Sequence, residues 1–350
     1  MSELKTNKIS TNDQNNVAID NALGLKSYDN AGMNALTSVT GDLIYNTDDS
    51  KLKVYNGTEW VDAGGTDRAV DIDFLVIAGG GGGGEQGGGG AGGYRNSYNS
   101  ESSGGGASAE TNGIIVKGID TTVTVGAGGT GSIGYGGYGN TSTFAYINST
   151  RGGGGATYSA TGRSGGSGGG GGHSGGAGGA GTTGQGFAGG AANTDSTLRI
   201  MGGGGGAGET GNTDATGYGG DGVASTITGS SVTRAGGGGG GAYRADPWGS
   251  SNKRLGGDGG GGNGGIRSQP YVVIQPTAAT ANTGSGGGGA GSSSGMQGAN
   301  GGSGIVILRW KTADATISAT RTGLTDGGVQ TDGDDSYIVF TAGTGTISFS

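Results

Sequence analysis

The chain has 350 residues, of which 96 are glycine, three are proline and none is cysteine, and its formal net charge is -8. Three prolines exclude collagen, whose triple helix needs a strict Gly-X-Y repeat rich in proline, and the missing cysteines exclude disulfide frameworks and thiolate metal sites. An acidic, lightly charged chain with no Lys/Arg cluster is a poor partner for nucleic acid or an anionic membrane, because neutralising phosphates takes clustered basic residues.

Residues 1–65 are ordinary in glycine content and read as a separate attachment or oligomerisation module. The opening "MSELKTNKISTNDQNN" is polar and lacks the basic-then-apolar order of a secretory signal. No apolar stretch approaches the roughly eighteen residues of a membrane span. Membrane insertion is therefore not expected, and a protein of this kind found outside a cell leaves by lysis or a signal-independent exporter. The segment "VAIDNALGLKSYDNAGMNALTSVT" has spaced apolar residues, but Gly24 and Gly32 argue against a long helix. Three β-type runs follow, Asp42 to Tyr45, Lys51 to Tyr55 and Glu59 to Asp62, separated by "NTDDS" and by the hairpin signal Asn56-Gly57. They predict a small meander. A module of about 65 residues with so few apolar groups is marginal alone and is expected to bury surface against copies of itself or a partner.

The second zone, residues 66–310, opens with "VDIDFLVIAG" and closes with "GIVILRW", two apolar β-type runs expected to pair in one sheet. Everything between them is then inserted into a β scaffold. Only six glycines precede Gly79 and six follow Gly304, so the glycine is segregated into this insertion. Two passages repeat one device, "STFAYINSTRGGGGA" from Ser142 and "STITGSSVTRAGGGGGGA" from Ser225, each with an Arg nine positions after the Ser and a glycine run behind it. Residues 311–350 alternate apolar and polar positions, as in "YIVFTAGTGTISFS", and predict a terminal β hairpin or cap.

Runs of three or more glycines begin at Gly79, Gly87, Gly104, Gly152, Gly168, Gly202, Gly236, Gly259 and Gly286. Gly/Ser-rich chain is ordinarily a flexible linker. Here the runs are bracketed by strands and interrupted by single large residues, Tyr94, Tyr158, Phe187 and Tyr243, which points to order. The ordered form is the polyproline II helix built from glycine, with three residues per turn and a rise of about 3.1 Å. Such rods expose N–H and C=O in several directions and, with no Cβ, pack closely enough to hydrogen-bond one another. Each bond contributes about 1 kcal/mol net, against roughly 1 to 2 kcal/mol of backbone entropy per residue, so a cooperative bundle of many rods is expected. "GGGGGGEQGGGG" from Gly79 reads as two consecutive rods joined by a Glu-Gln turn. The fold expected is mostly β: a β-sandwich-like scaffold carrying an inserted polyglycine II bundle, with the N-terminal meander and C-terminal hairpin.

The strings "LKTNKISTNDQNNVAIDNALGLKSY", "GDLIYNTDDSKLKVYNGTEWVDAG", "FLVIAGGGGGG", "GGGASAE", "VTVGAGG", "GGSGIVILRW" and "FTAGTGTISFS" together resemble the glycine-rich fibre proteins of tailed bacteriophages, particularly those infecting cyanobacteria. The resemblance covers nearly the whole chain. It implies a virion fibre or fibre-tip adhesin that contacts the host surface, commonly as a homotrimer, with a polyglycine II bundle as in adhesins at the tips of some long tail fibres. A similar glycine-rich domain sits on a β-sandwich in the ectodomain of the anaplastic lymphoma kinase receptor. The resemblance also implies attachment to other virion proteins through residues 1–65 and release by host lysis. At 350 residues the chain is short for a complete long tail fibre, and its position on the virion stays open.

Catalytic signals are weak. His173, the single histidine, lies in "GGGGHSGG" and reads as a solvent-facing loop residue. Strings of the G-x-G-x-x-G type arise here from composition, and neither the phosphate-binding G-x-x-x-x-G-K-[ST] nor the calcium-binding nonapeptide is matched. Paired carboxylates for glycan hydrolysis, the activity of many phage tailspikes, are set by spatial pairing that sequence spacing leaves open. The chain is read as a binding protein, not an enzyme, with no cofactor and no metal. Recognition falls to loops between rods, above all Ala242 to Leu255 and Ile266 to Thr283, which hold Tyr243, Arg244, Trp248, Arg254 and Tyr271. Tyr, Trp and Arg dominate interface hot spots and aromatic faces stack on sugars. Tyr94 and Tyr98 in "YRNSY" form a second candidate. The partner expected is a host-surface glycan or outer-membrane protein. The competing expectation is a purely structural virion part, such as a capsid-decorating fibre, spacer or filament subunit, in which Trp248 and Tyr271 plug a bundle edge or subunit seam.

Overall fold

The computed structural model describes residues 25–63, 69–194, 199–214, 216–243, 254–268, 272–291 and 295–350, and the chain divides between Ala69 and Val70 into two units. In the first, β1 (Ser27–Tyr28) is followed by α1 (Asn30–Asn34), a short turn of helix whose first N–H groups are capped by the Asp29 carboxylate bonding Gly32 N–H. The expected meander is present as β2 (Leu43–Asn46), β3 (Lys51–Tyr55) and β4 (Trp60–Asp62), with β1 parallel to β2 at its edge. The Asn56-Gly57 turn forms because Asn56 Oδ1 accepts the N–H groups of Thr58 and Glu59 while Gly57 takes a φ of +102°. Met33 and Ile44 form the small buried centre. The N-terminal string up to residue 24 lies outside the described residues.

The second unit holds β5 (Ala69–Ile77), β6 (Tyr94–Asn96), β7 (Gly113–Val116), β8 (Thr121–Val125), β9 (Ser142–Phe144) and β10 (Ile147–Ser149). Two small hairpins follow, β11 (Val223–Ser225) with β12 (Val232–Arg234) and β13 (Ile266–Ser268) with β14 (Val272–Ile274). The chain closes with β15 (Ile305–Lys311), β16 (Leu324–Asp332) and β17 (Asp335–Ile347). One nearly closed sheet of nine strands runs β10-β9-β8-β17-β15-β5-β6, with β16 on β17 and β7 on β5. The two apolar runs that bracket the insertion pair as expected, Ile305 opposite Ile77 and Leu308 opposite Phe74. The terminal hairpin is present as β16–β17, but it is no detached cap: β17 lies inside the sheet between β15 and β8 and belongs to the second unit.

The two central strands are buried on both faces, which is why they read as continuous apolar runs. Phe74, Val76, Val306, Leu308 and Trp310 point into the β core with Phe144, Phe340 and Phe349. Leu75, Ile77, Ile305 and Ile307 point the other way, onto Tyr94, Ile227 and three alanines that sit at rod ends, Ala91, Ala207 and Ala235. The sheet is thus the apolar wall from which the glycine rods start. Ser142 ties wall to rods: its Oγ donates to Ile77 O and accepts Gly126 N–H.

The hydrogen bonds of residues 79–84 define the rods. Gly79 and Gly82 N–H donate to Asn140 and Gly137, Gly80 and Gly83 to Gly302 and Ala299, and Gly81 and Gly84 to Gly90 and Gly87, all at 2.8–3.0 Å. Each third residue addresses the same neighbour. That is the period of the three-residue helix, not the period of two of a strand. The carbonyls of the same six residues accept from three further rods: Gly152 and Gly155, Gly129 and Ser132, Gly287 and Ala290. This rod therefore has six neighbours and every backbone polar group is paired. Residues 87–92 repeat the pattern, antiparallel to 79–84, and Glu85-Gln86 is the turn between them.

Packing this close leaves no room for side chains. A Cβ at Gly79 to Gly84 would come closer than 3.0 Å to a backbone atom of a neighbouring rod. Seven of the nine glycine runs, those beginning at Gly79, Gly87, Gly152, Gly168, Gly202, Gly236 and Gly286, are buried rods of this kind. The other two contain turns: Gly105 and Gly106, and Gly259 and Gly260, have positive φ, the second run passing into a rod from Gly262, where Gly262 and Gly265 N–H bond Gly286 and Gly289. Outer rods carry a side chain on the residue that faces solvent, so Ala127 and Thr130, or Ala177 and Ala180, are exposed three apart.

Gly82→Ala should destabilise the second unit by about 3 kcal/mol or more, the upper range of core overpacking, because six neighbours prevent the rod from shifting. Gly134→Ala, whose new methyl would meet nothing nearer than Ser132 Oγ at 3.8 Å, should stay within about 0.5 kcal/mol of the parent. Denaturant unfolding of the two variants tests the difference, and equal effects would refute close packing as the cause.

Candidate functional site

Rod directions decide where the loops lie. Residues 79–84 leave the sheet at Ile77 and residues 87–93 return to it at Tyr94, so Glu85-Gln86 marks the far end of the bundle. Gly84 bonds Gly87, Gly241 N–H bonds Gln86 O, and Gly291 N–H bonds Glu85 O. His173 N–H donates to Gln86 Oε1 at 2.7 Å, and Thr157 Oγ1 donates to Glu85 Oε2 at 2.6 Å. The turns at 157–160, 173–175, 242–243 and 291 therefore meet at one distal face.

There Gln86, Tyr158, His173, Arg199, Met201, Tyr243 and Gly291 line a cleft of about 30 Å³, room for one or two waters. The Tyr158 and His173 rings lie 5.9 Å apart at 31°, and the Arg199 guanidinium stands 5.0 Å over the Tyr243 ring. Tyr243 N–H bonds Arg199 O at 3.2 Å, which holds the two segments together. Tyr158 is exposed, whereas His173 is largely covered. Burial, and secondarily the Arg199 charge, hold the imidazole below its ordinary pKa. His173 Nδ1 is 2.7 Å from Ser174 Oγ. The charge that perturbs this ring is a cation, the opposite of the carboxylate that orients a Ser-His-Asp triad. Aromatic faces, a guanidinium and amides in a shallow, half-open setting suit contact with a polar ligand.

Of the sequence-predicted residues, Tyr243 and Arg254 belong to this end, Arg254 O accepting Gly264 N–H beside the turn into β13. Arg244, Trp248 and Tyr271 lie outside the described residues. Segment 244–253 joins the chain here at both ends, and residues 269–271 connect β13 to β14. Tyr94 and Tyr98 are a correction. Tyr94 is fully buried at the opposite, sheet end of the bundle, among the apolar residues under β5 and β15. Tyr98 packs against the same cluster and lies 5.0 Å beneath the guanidinium of Arg309. Arg309 in turn bonds Asp332, Asp335 and Ile227 O, tying the sheet to the β11–β12 hairpin. "YRNSY" is thus core and joint.

Sequence reading missed Arg199 and took His173 for solvent-facing; neither has a local motif, since rods 87 residues apart in sequence bring Gln86 to His173. Elsewhere Glu209, Asp214 and Asp221 bring carboxylates within 4.8 Å of one another, the donor set that could hold a cation. Burial is the main cause raising the Glu209 carboxyl pKa, and its two acidic neighbours add to the rise. No described helix is long and apolar enough to cross a membrane.

A family model described as a glycine-rich domain matches residues 57–311. No curated protein and no solved structure gives a significant match. With most of its length covered, the chain belongs to this glycine-rich domain family.

Because His173 is the single histidine, its titration can be followed as one NMR signal. The folded-state pKa should lie below about 6.5 and rise toward it in Arg199→Gln. The unfolded chain then takes up this proton first as pH falls through about 6.5, so His173 contributes stability above that value and loses it below. An unchanged pKa in Arg199→Gln would show that the guanidinium does not act on the ring.

Proposed function

We propose that this glycine-rich domain protein is a virion fibre component, a tail fibre or fibre tip, that recognises a host surface glycan or outer-membrane protein through the distal face of its rod bundle. The observation that carries the reading is the convergence of turns at that face, where Tyr158, His173, Arg199 and Tyr243 gather and where segment 244–253 is attached. Interior rods are bare backbone with no means of discriminating partners. Specificity then falls to the turns, and Tyr, Trp and Arg are the residue types that supply it. Residues 1–65 serve attachment to other virion proteins and assembly as a homotrimer. On this reading the protein binds without catalysing, and the particle reaches the outside by host lysis.

A structural reading, a spacer or capsid decoration, has one observation in its favour: the rods alone make a stiff body that needs no ligand. The two readings differ in what substitutions in the distal turns and in segment 244–253 do. Purified wild type should bind cells of a susceptible host, and a folded Tyr158→Ala, Tyr243→Ala, Trp248→Ala variant should lose at least tenfold in a pull-down. Tyr94→Phe, remote from that face, should bind as wild type does. Equal binding by the triple variant, with circular dichroism and mass unchanged, supports the structural reading instead.

A further inference from the structure

A second feature lies along the flank of the bundle. The outer rod of residues 136–140 turns two of its three faces inward. Gly136 and Gly139 N–H bond Gly155 and Gly152, and Gly137 and Asn140 N–H bond Thr130 and Ala127. Tyr138, on the third face, and Tyr135 three residues before it make no such bond and carry the large side chains. Two arginines from neighbouring segments join them. The Arg151 guanidinium lies 4.2 Å from the Tyr138 ring centroid, and that of Arg163 lies 4.8 Å from Tyr138 and 4.9 Å from Tyr135. The result is a stripe in the order Arg151, Tyr138, Arg163, Tyr135.

These arginines differ from the carboxylate-paired arginines of this acidic chain. Arg95, Arg309 and Arg321 pair with carboxylates, whereas Arg151 and Arg163 have no carboxylate partner among the described residues. Stacking engages the face of a guanidinium and leaves its N–H edge unused, and that edge matches a carboxylate, sulfate or phosphate in two-point geometry. The rings therefore hold the cations in place without consuming their donors. Glu85, whose N–H bonds Gly134 O near Tyr135, turns its carboxylate to Thr157. At the Arg151 end the stripe opens into a cleft of about 480 Å³ bordered by Thr124, Asn140, Thr141 and Thr344, within the size range of ligand pockets. Hydroxyls and an amide in a row beside fixed guanidinium edges suit a polymer that offers alternating hydroxyl and acid groups.

We propose that this stripe is a binding site for an acidic polysaccharide, one bearing carboxylate or sulfate groups on its sugars. The proposal deepens the host-recognition reading and rests on it for biological setting, but it concerns the flank and not the distal face.

The test measures binding of the full chain to heparin as the sulfated probe, polygalacturonate as the carboxylated probe, dextran as the neutral one and a single-stranded oligonucleotide as a non-sugar polyanion. Wild type should bind at least one acidic glycan, ignore dextran and bind the oligonucleotide at least tenfold more weakly. Arg151→Gln with Arg163→Gln should lower glycan affinity at least tenfold with unchanged thermal unfolding. Arg151→Lys with Arg163→Lys, which keeps charge but loses the planar fork, should also lose several-fold. Undiminished glycan binding by the Gln pair, equal binding of the oligonucleotide, or full activity of the Lys pair would each overturn the proposal. The Tyr158→Ala, Tyr243→Ala, Trp248→Ala variant separates the two ideas: glycan binding should survive in it. Loss of cell binding alone concerns the distal face, and failure of wild type to bind either acidic glycan while it still binds cells overturns the stripe alone.

Discussion

The structure depends on one constraint: backbones must approach until the N–H of one rod reaches the carbonyl of the next in three directions at once. A Cβ at any of Gly79 to Gly84 would meet a neighbouring backbone atom closer than 3.0 Å, so only glycine satisfies it there. The usual cost of glycine, lost backbone freedom with nothing buried in return, is offset here by complete pairing. Gly79 to Gly84 donate to three rods and accept from three others. With each bond contributing about 1 kcal/mol against an entropy loss of similar size, an isolated rod has no stability of its own. Order comes from the lattice as a whole, supplemented by the Cα–H···O contacts that such spacing brings.

A lattice that weakly favours itself needs a starting surface. The sheet supplies one, since β5 and β15 bury both faces and present Leu75, Ile77, Ile305 and Ile307 to rod ends closed by alanine. Alanine fits there because the rods end against side chains, not against other rods. Serine hydroxyls set the first rods in register: Ser142 Oγ between Ile77 and Gly126, and Ser149 Oγ on Gly93 O. Anchored at that wall, the rods 79–84 and 87–93 deliver their turn to the far end, where Tyr158, His173, Arg199 and Tyr243 sit on a base of bare backbone. On the flank the same three-residue period decides which positions carry a side chain at all.

Much of this was legible. The pairing of "VDIDFLVIAG" with "GIVILRW", the Glu85-Gln86 turn and the three-stranded meander follow from local pattern, because strand periodicity and turn chemistry are local. The seven interior rods were legible as glycine runs of sufficient length, but the runs at Gly104 and Gly259 look the same in sequence and begin as turns. A run of glycines permits both conformations, and only its neighbours choose. The Ser142 and Ser225 repeats are a similar case. Both are hairpins feeding a rod, yet Arg151 is exposed and stacked while Arg234 is buried. The site was less legible than the fold. Tyr94 and Tyr243 both interrupt glycine runs, and nothing local says that one rod end abuts the sheet and the other faces outward. Arg199 and His173 meet through rods distant in sequence. The spacing of Tyr135 and Tyr138, three apart with glycines between, was a readable signal of an outward face.

The measurement closest to the central claim is residue-resolved amide hydrogen exchange along residues 135–140. A three-fold rod on the bundle surface predicts fast exchange at Tyr135 and Tyr138 and slow exchange at Gly136, Gly137, Gly139 and Asn140, a period of three. Alternation with a period of two would identify a β-strand, and uniformly fast exchange would identify a disordered chain; either result would contradict the rod lattice.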